Sequence, residues 1–201
     1  PSFSRDLDLY PGNDAPTTST PSSVKSPLTA CGQLEKPTPA DPASPSTRES
    51  TDFNNIPGQF PSPATLTTNG QAEAPVGGCV NLSGPAVNAL LTLVDCGSPQ
   101  HTYRIVQRVN VPQECGDIDR SYYHNSQATG QYTACLDLAW DASACISLAQ
   151  PVAKVSCTDP NAPRKIKPTK IVLDSTTLDS CPDGGYPHPV RKFTVCTETQ
   201  D

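Results

Sequence analysis

Nine cysteines are the residues most able to do chemistry in this 201-residue chain, and eight of them fall between Cys79 and Cys196. Structural zinc sites draw their thiolates from closely spaced pairs, often two residues apart. Here even the closest neighbours, Cys135 and Cys145, are ten residues apart. Wide spacing at this density favours disulfides, and disulfides point to an oxidising compartment outside the cytoplasm. The expected bridging set is Cys79, Cys96, Cys115, Cys135, Cys145, Cys157, Cys181 and Cys196.

Other candidate chemistry is sparse. His101, His124 and His188 would need to converge with a carboxylate or thiolate to hold a metal, and nothing in their spacing requires it. His188 lies between two prolines and His101 follows a Cys-Gly-Ser-Pro turn, so surface or turn positions are the plainer expectation. Asp117-Ile118-Asp119 offers two carboxylates without the central Gly and terminal Glu of a calcium loop. There is no Gly-x-Ser-x-Gly motif and no Gly-rich phosphate loop. A Ser-x-x-Lys pattern occurs at Ser22-Ser23-Val24-Lys25, in a stretch whose composition could not hold an active site rigid. The chain therefore reads as a non-enzyme with no catalytic residue, no metal and no cofactor. Trp140 and Tyr122-Tyr123 are candidate contact residues, although a lone Trp more often packs at a junction.

The elements that must position these residues divide unevenly. Residues 1–75 hold 13 of the 23 prolines, 20 Ser or Thr, one Cys and a net charge of −4. Such a segment buries too little apolar surface to offset its ordering entropy, so it is expected to be an extended Pro/Ser/Thr-rich arm. Its apolar residues cluster, as Phe3, Leu7, Leu9 and Tyr10, then Phe53, Ile56 and Phe60. They read as partner-binding anchors on a tether, of which Phe3, Leu9, Tyr10, Phe53, Ile56 and Phe60 are the expected contacts. Residues 76–201 are near neutral, at −2, and neither part has the basic excess that would recruit nucleic acid. No stretch is apolar enough for a transmembrane helix. With neither an initiator Met nor a signal h-region, the sequence reads as a mature or truncated export product.

Residues 76–201 repeat themselves. Gly78-Cys79-Val80, Val94-Asp95-Cys96-Gly97-Ser98-Pro99, Cys115 and Tyr132-Thr133-Ala134-Cys135 have counterparts in order. These are Ala144-Cys145-Ile146, Val155-Ser156-Cys157-Thr158-Asp159-Pro160, Cys181 and Phe193-Thr194-Val195-Cys196. Four features in register imply two related units, 76–140 and 141–201. Short β-branched runs between Gly, Pro, Asn and Asp turns make both units β. Strands are expected at 79–82, 90–96, 102–109 and 131–138, then at 144–148, 151–157, 169–174 and 191–197. Pro112 and the acids Glu114, Asp117 and Asp119 suggest a short helix over 113–124. The fold class is thus mainly β: two tandem disulfide-stapled units with short helices, preceded by the arm. Hairpin geometry would bring Cys79 near Cys96 and Cys145 near Cys157, leaving Cys115 with Cys135 and Cys181 with Cys196. This is a preference among the 105 connectivities that eight cysteines allow.

These features resemble the actinobacterial cell-envelope lipoproteins of the LppU type and, more loosely, septum-formation-type domains of the same bacteria. The resemblance is carried by the motifs above together with Tyr103-Arg104-Ile105-Val106, Tyr122-Tyr123, Cys135-Leu136-Asp137-Leu138-Ala139-Trp140 and Cys145-Ile146-Ser147. It covers residues 76–198 and leaves the arm uncovered. It implies an exported, membrane-associated protein and supplies no catalytic residue. Leu28-Thr29-Ala30-Cys31 fits the lipobox pattern, but residues 1–27 are polar where an h-region would stand. A free thiol or intermolecular bridge at Cys31 is the preferred reading, with lipidation as the other. The expected function is that of an accessory subunit docking through its arm on other protein subunits, at the outer face of a membrane complex such as a respiratory assembly. The alternative is a free envelope-binding module for wall polymer or a small ligand.

Overall fold

The computed structural model describes residues 48–201. Among the described residues the strands form two antiparallel sheets, one from each half. The first contains β2 (Cys79–Ser83), β3 (Leu90–Leu93), β4 (Tyr103–Val109), β5 (Arg120–Ser126) and β6 (Gly130–Leu138), in the order β3-β2-β4-β6-β5. The second contains β7 (Cys145–Ser147), β8 (Ala153–Val155), β9 (Lys165–Leu173), β10 (Gly185–His188) and β11 (Phe193–Gln200), in the order β10-β11-β9-β7-β8. The short β1 (Glu49–Ser50) joins this second sheet by pairing with Val172 and Ile171 of β9.

Alternation along the strands builds the core. Ala134, Leu136 and Leu138 of β6 are buried in one cluster with Phe193 and Val195 of β11, Ile146 of β7 and Ile171 of β9. The two halves therefore share one apolar interior. Fully burying a Leu, Ile or Phe contributes about 2 kcal/mol, so the sharing matters for units this small. The opposite faces carry smaller clusters. Val106 and Val109 pack with Cys135 against Cys115 and Ile118, and Val172 packs with Cys181 and Cys196.

Four disulfides staple the halves: Cys79–Cys96, Cys115–Cys135, Cys145–Cys157 and Cys181–Cys196, with Cα separations of 5.2, 5.7, 5.0 and 5.0 Å. Their positions repeat. In each half one bridge starts from the first strand, and the other ties a loop to the outer face of the last strand. Bridges of this kind place folding in an oxidising, extracytoplasmic environment. No helix among the described residues is long and apolar enough to cross a membrane.

Three expectations change. The helix expected over 113–124 is a single 3-10 turn, Pro112–Glu114, followed by strand β5. The Glu114 carboxylate accepts from the Asn110 and Val111 amides at 2.8 and 3.1 Å, so the acid closes one turn. Beyond it, Tyr122-Tyr123-His124 favours pairing along β6 over helix propagation. Strand β9 begins at Lys165, well before the expected 169, because Pro168 is accommodated where the register shifts between Cys196 and Thr197 of β11.

The third change concerns the arm, expected to run to residue 75. Residues 48–75 belong to the folded unit. Phe53 and Ile56 lie in the main core, so their apolar surface is consumed by the chain itself and is not offered to a partner. Phe60 remains 41% exposed, with the Arg104 guanidinium over its ring at 5.5 Å. Phe3, Leu9, Tyr10 and Cys31 lie outside the described residues.

Candidate functional site

The repeat builds its last strand so that one residue before each apolar inward position faces the outer side. In β6 that pattern puts Asp137, between Leu136 and Leu138, on a buried outer face. Asp137 is met there by Arg191, in the turn between β10 and β11. Arg191 Nη1 and Nη2 donate to the two Asp137 oxygens at 2.7 and 3.0 Å, a bidentate pair. Nη1 also donates to the Gln59 carbonyl at 2.7 Å, Nε donates to Asp117 Oδ1 at 3.0 Å, and Nη2 reaches the Asp117 carbonyl. The ring of Phe193 lies 5.1 Å beneath the guanidinium. Burial pulls the Arg191 pKa down, but the Asp137 hydrogen bond and charge, followed by Asp117, outweigh it and raise it.

Asp117 also fixes the turn's backbone. Its Oδ2 accepts from the amides of Val190 and Arg191 at 2.7 and 3.2 Å. One carboxylate of the first half thus orders a turn of the second. The sequence reading of Asp117 and Asp119 as helix N-terminal acids gives way to this role, because no helix forms there. Asp119 is buried beside them. Its Oδ2 accepts from the Leu138 amide at 2.8 Å, and its Oδ1 stands 3.8 Å from His188 Nε2.

A second buried arginine holds the strap of residues 64–74 on the first sheet. Arg108, on β4, donates through Nε and Nη2 to the Thr67 carbonyl at 3.3 and 3.1 Å, and through Nη1 to the Ala74 carbonyl at 2.9 Å. Backbone bonds between Leu66 and Arg108 and between Arg108 and Ala64 extend the grip, at 2.8 and 2.9 Å. Gly70 passes so close to Tyr132 that a Cβ there would meet the ring at 2.3 Å, and its φ is +68°. Burial lowers the Arg108 pKa, while Tyr132 opposes the shift.

The three histidines occupy three different places. His101 Nδ1 lies 3.1 Å from the Cys96 carbonyl, and burial, then the Lys154 charge, lowers its pKa. His124 lies 3.0 Å from the Thr129 hydroxyl and packs on the Tyr132 ring at 5.1 Å. His188 is at the charge cluster. Among the described residues no group of three or more His, Cys, Asp or Glu could hold a metal ion. Trp140 is buried and meets Tyr186 of β10 at 4.9 Å, while Tyr122 is half-buried beside the core.

The opposite edge of the first sheet has another character. Among the described residues, strand β3 pairs with β2 on one side only. The Val94 amide donates to the Cys79 carbonyl at 2.9 Å. By alternation Thr92 and Leu90 turn their backbone groups toward β2, and Leu91 and Leu93 turn theirs to the open edge. Leu90 and Leu93 of this strand, and Val87 of the turn before it, are 60%, 44% and 65% exposed. No charged residue occurs between Glu73 and Asp95. Sheet edges ordinarily carry charge, Pro or bulges against stray pairing, and this one carries none on its strand.

Sequence reasoning missed Arg191, Asp137, Arg108 and the β3 edge. The edge did have a signal, the long uncharged run. Asp137 and Arg191 had none, being 54 residues apart in different halves. No family model, curated protein or solved structure matches this chain.

Proposed function

We propose that this protein is a non-catalytic, exported accessory subunit that docks on another protein of an envelope membrane complex, with β3 as a docking edge. The exposed, uncharged β3 edge is the observation that carries this reading. A neutral strand with two residues' N–H and C=O groups turned outward and with Leu90 and Leu93 exposed on it suits an uncharged strand of another protein. The polar clusters within the fold support a non-catalytic role, because Arg191 and Arg108 spend their donors on the chain itself. Four disulfides favour an extracellular station. The resemblance of the Cys motifs to actinobacterial envelope lipoproteins of the LppU type is part of the proposal. So is the contribution of the N-terminal arm as a second contact.

The test is a native pull-down in mild detergent with the intact chain and with a Leu90→Lys/Leu93→Lys variant. The proposal expects subunits of a membrane complex with the wild type and their loss from the variant. Equal recovery from both would remove β3 from the interface. Retention on purified wall material alone would favour the wall-polymer reading instead.

A further inference from the structure

The β3 edge reads almost the same in both directions. About Thr92, the neighbours one residue away are Leu91 and Leu93, and those two residues away are Leu90 and Val94. An antiparallel partner presents its residues in reverse order, so a strand of this kind complements a copy of itself. Its backbone selects one register. The bond from the Val94 amide to the Cys79 carbonyl sets the phase of the β2–β3 ladder, and Leu91 and Leu93 turn their N–H and C=O groups to the side that no described strand covers. With a two-fold axis through Thr92, Leu91 of one copy stands opposite Leu93 of the other, and the outward N–H groups of both copies meet outward C=O groups. Sliding the pair either way sets Leu93 against Ala89, before the strand begins, or Leu91 against the charged Asp95.

The side chains agree with that register on both faces. Leu91 and Leu93 share a face with Leu82 and Val80, their partners on β2, which are buried in the main core. The two-fold pairing extends this apolar layer by the same two leucines of the second copy. On the other face Leu90 meets Val94 of the second copy and Thr92 meets Thr92, a cross-strand pair that stabilises sheets. The exposed Leu90 and Leu93 gain cover. Asp95, the first charge after the strand, falls opposite Ala89 and meets no like charge. With no charge on the strand, nothing there opposes self-pairing.

We propose, resting on the reading of β3 as a docking edge, that the free protein closes this edge with a second copy: two β3 strands pair antiparallel about Thr92 and join two five-stranded sheets into one continuous sheet. A single strand pairing is a small interface of the dissociable class. A strand of the docking partner therefore takes the place of the second copy when the protein enters its complex.

The test uses the full, oxidised chain. Analytical ultracentrifugation should show a monomer–dimer equilibrium between about 1 μM and about 1 mM, and Leu90→Lys/Leu93→Lys should weaken it by about tenfold or more. A native chain that stays monomeric across that range overturns the proposal, and that measurement needs no variant. Single cysteines at the edge read the register, in a chain whose Cys31 is replaced by Ser. Thr92→Cys should give a covalent dimer on mild oxidation, because the two-fold sets the two thiols on a non-hydrogen-bonded pair about 4.5 Å apart at Cα, within disulfide reach. Leu90→Cys and Val94→Cys should each stay monomeric by themselves and should crosslink when mixed. Failure of the Thr92→Cys crosslink, or equal yields from all three single variants, overturns the pairing. A monomeric native chain whose complex subunits are still lost with Leu90→Lys/Leu93→Lys defeats the pairing and leaves the docking edge standing. A dimer in the Thr92 register, with equal subunit recovery from wild type and variant, supports the pairing and defeats docking on another subunit.

Discussion

Removing Arg191 should strongly destabilise the fold. All five of its N–H groups are directed at acceptors on the first half or on the segment 48–75 before it: Asp137, Asp117 and Gln59. Its side chain is 4% exposed and that of Asp137 is 1% exposed, so water does not replace what is lost. Arg191→Ala leaves a buried carboxylate facing an empty guanidinium site. Breaking a buried pair by deleting one partner costs about 3–5 kcal/mol. For a folded part of this size each kcal/mol is about 2–4 °C, so the melting temperature should fall by roughly 6–20 °C. Differential scanning calorimetry on the oxidised protein at pH 7 measures it. A double-mutant cycle with Asp137→Asn separates the pair from its surroundings, and a coupling of about 2 kcal/mol or more is expected. An isosteric apolar replacement, Arg191→Met with Asp137→Leu, should recover much of the loss, because the cost lies in the unpaired charge. A loss under about 1 kcal/mol, the range of exposed ion pairs, would refute the claim that this cluster ties the halves.

Replacing Cys115 and Cys135 by Ala opens a loop of sequence separation 20 and should cost about 3 kcal/mol, read by denaturant titration. Arg108→Met leaves the Thr67 and Ala74 carbonyls without their donor and should cost about 2–4 kcal/mol; limited proteolysis should then cut within residues 64–75 of the variant and spare them in the wild type. Gly70→Ala should be disruptive by more than about 2 kcal/mol, since the added methyl meets both a positive φ and the Tyr132 ring, and near-ultraviolet circular dichroism reports the tyrosine environment. Leu90→Lys should leave the melting temperature within about 2 °C of wild type, because the residue is exposed.

Much of the frame was legible because cysteine spacing and strand alternation are local signals. Cys79 and Cys96 flank a hairpin, as do Cys145 and Cys157, so the paired strands between them bring them together. What lay beyond reach depends on partners far along the chain. Residues 48–75 look like a linker by composition, yet Arg108 and Gln107 of β4 satisfy their carbonyls, including Pro63 at 3.0 Å. A buried arginine serving main-chain oxygens leaves no pattern near the segment it holds. Pro112 and the acids after it suit a helix start or a single turn equally, and only pairing with β6 decides. His188 between two prolines reads as a surface residue, whereas Pro187 lies on the edge strand β10, which tolerates it, and the histidine ring turns inward onto Phe193 at 4.4 Å.

The central functional claim is that β3 meets another protein in the envelope. A photo-crosslinking residue at position 90, introduced into the full chain in cells, tests it most directly. The account predicts a covalent adduct with one envelope protein, absent when the same residue stands at the solvent-exposed Asp183. No adduct at position 90, or the same scatter of adducts from both positions, would contradict it.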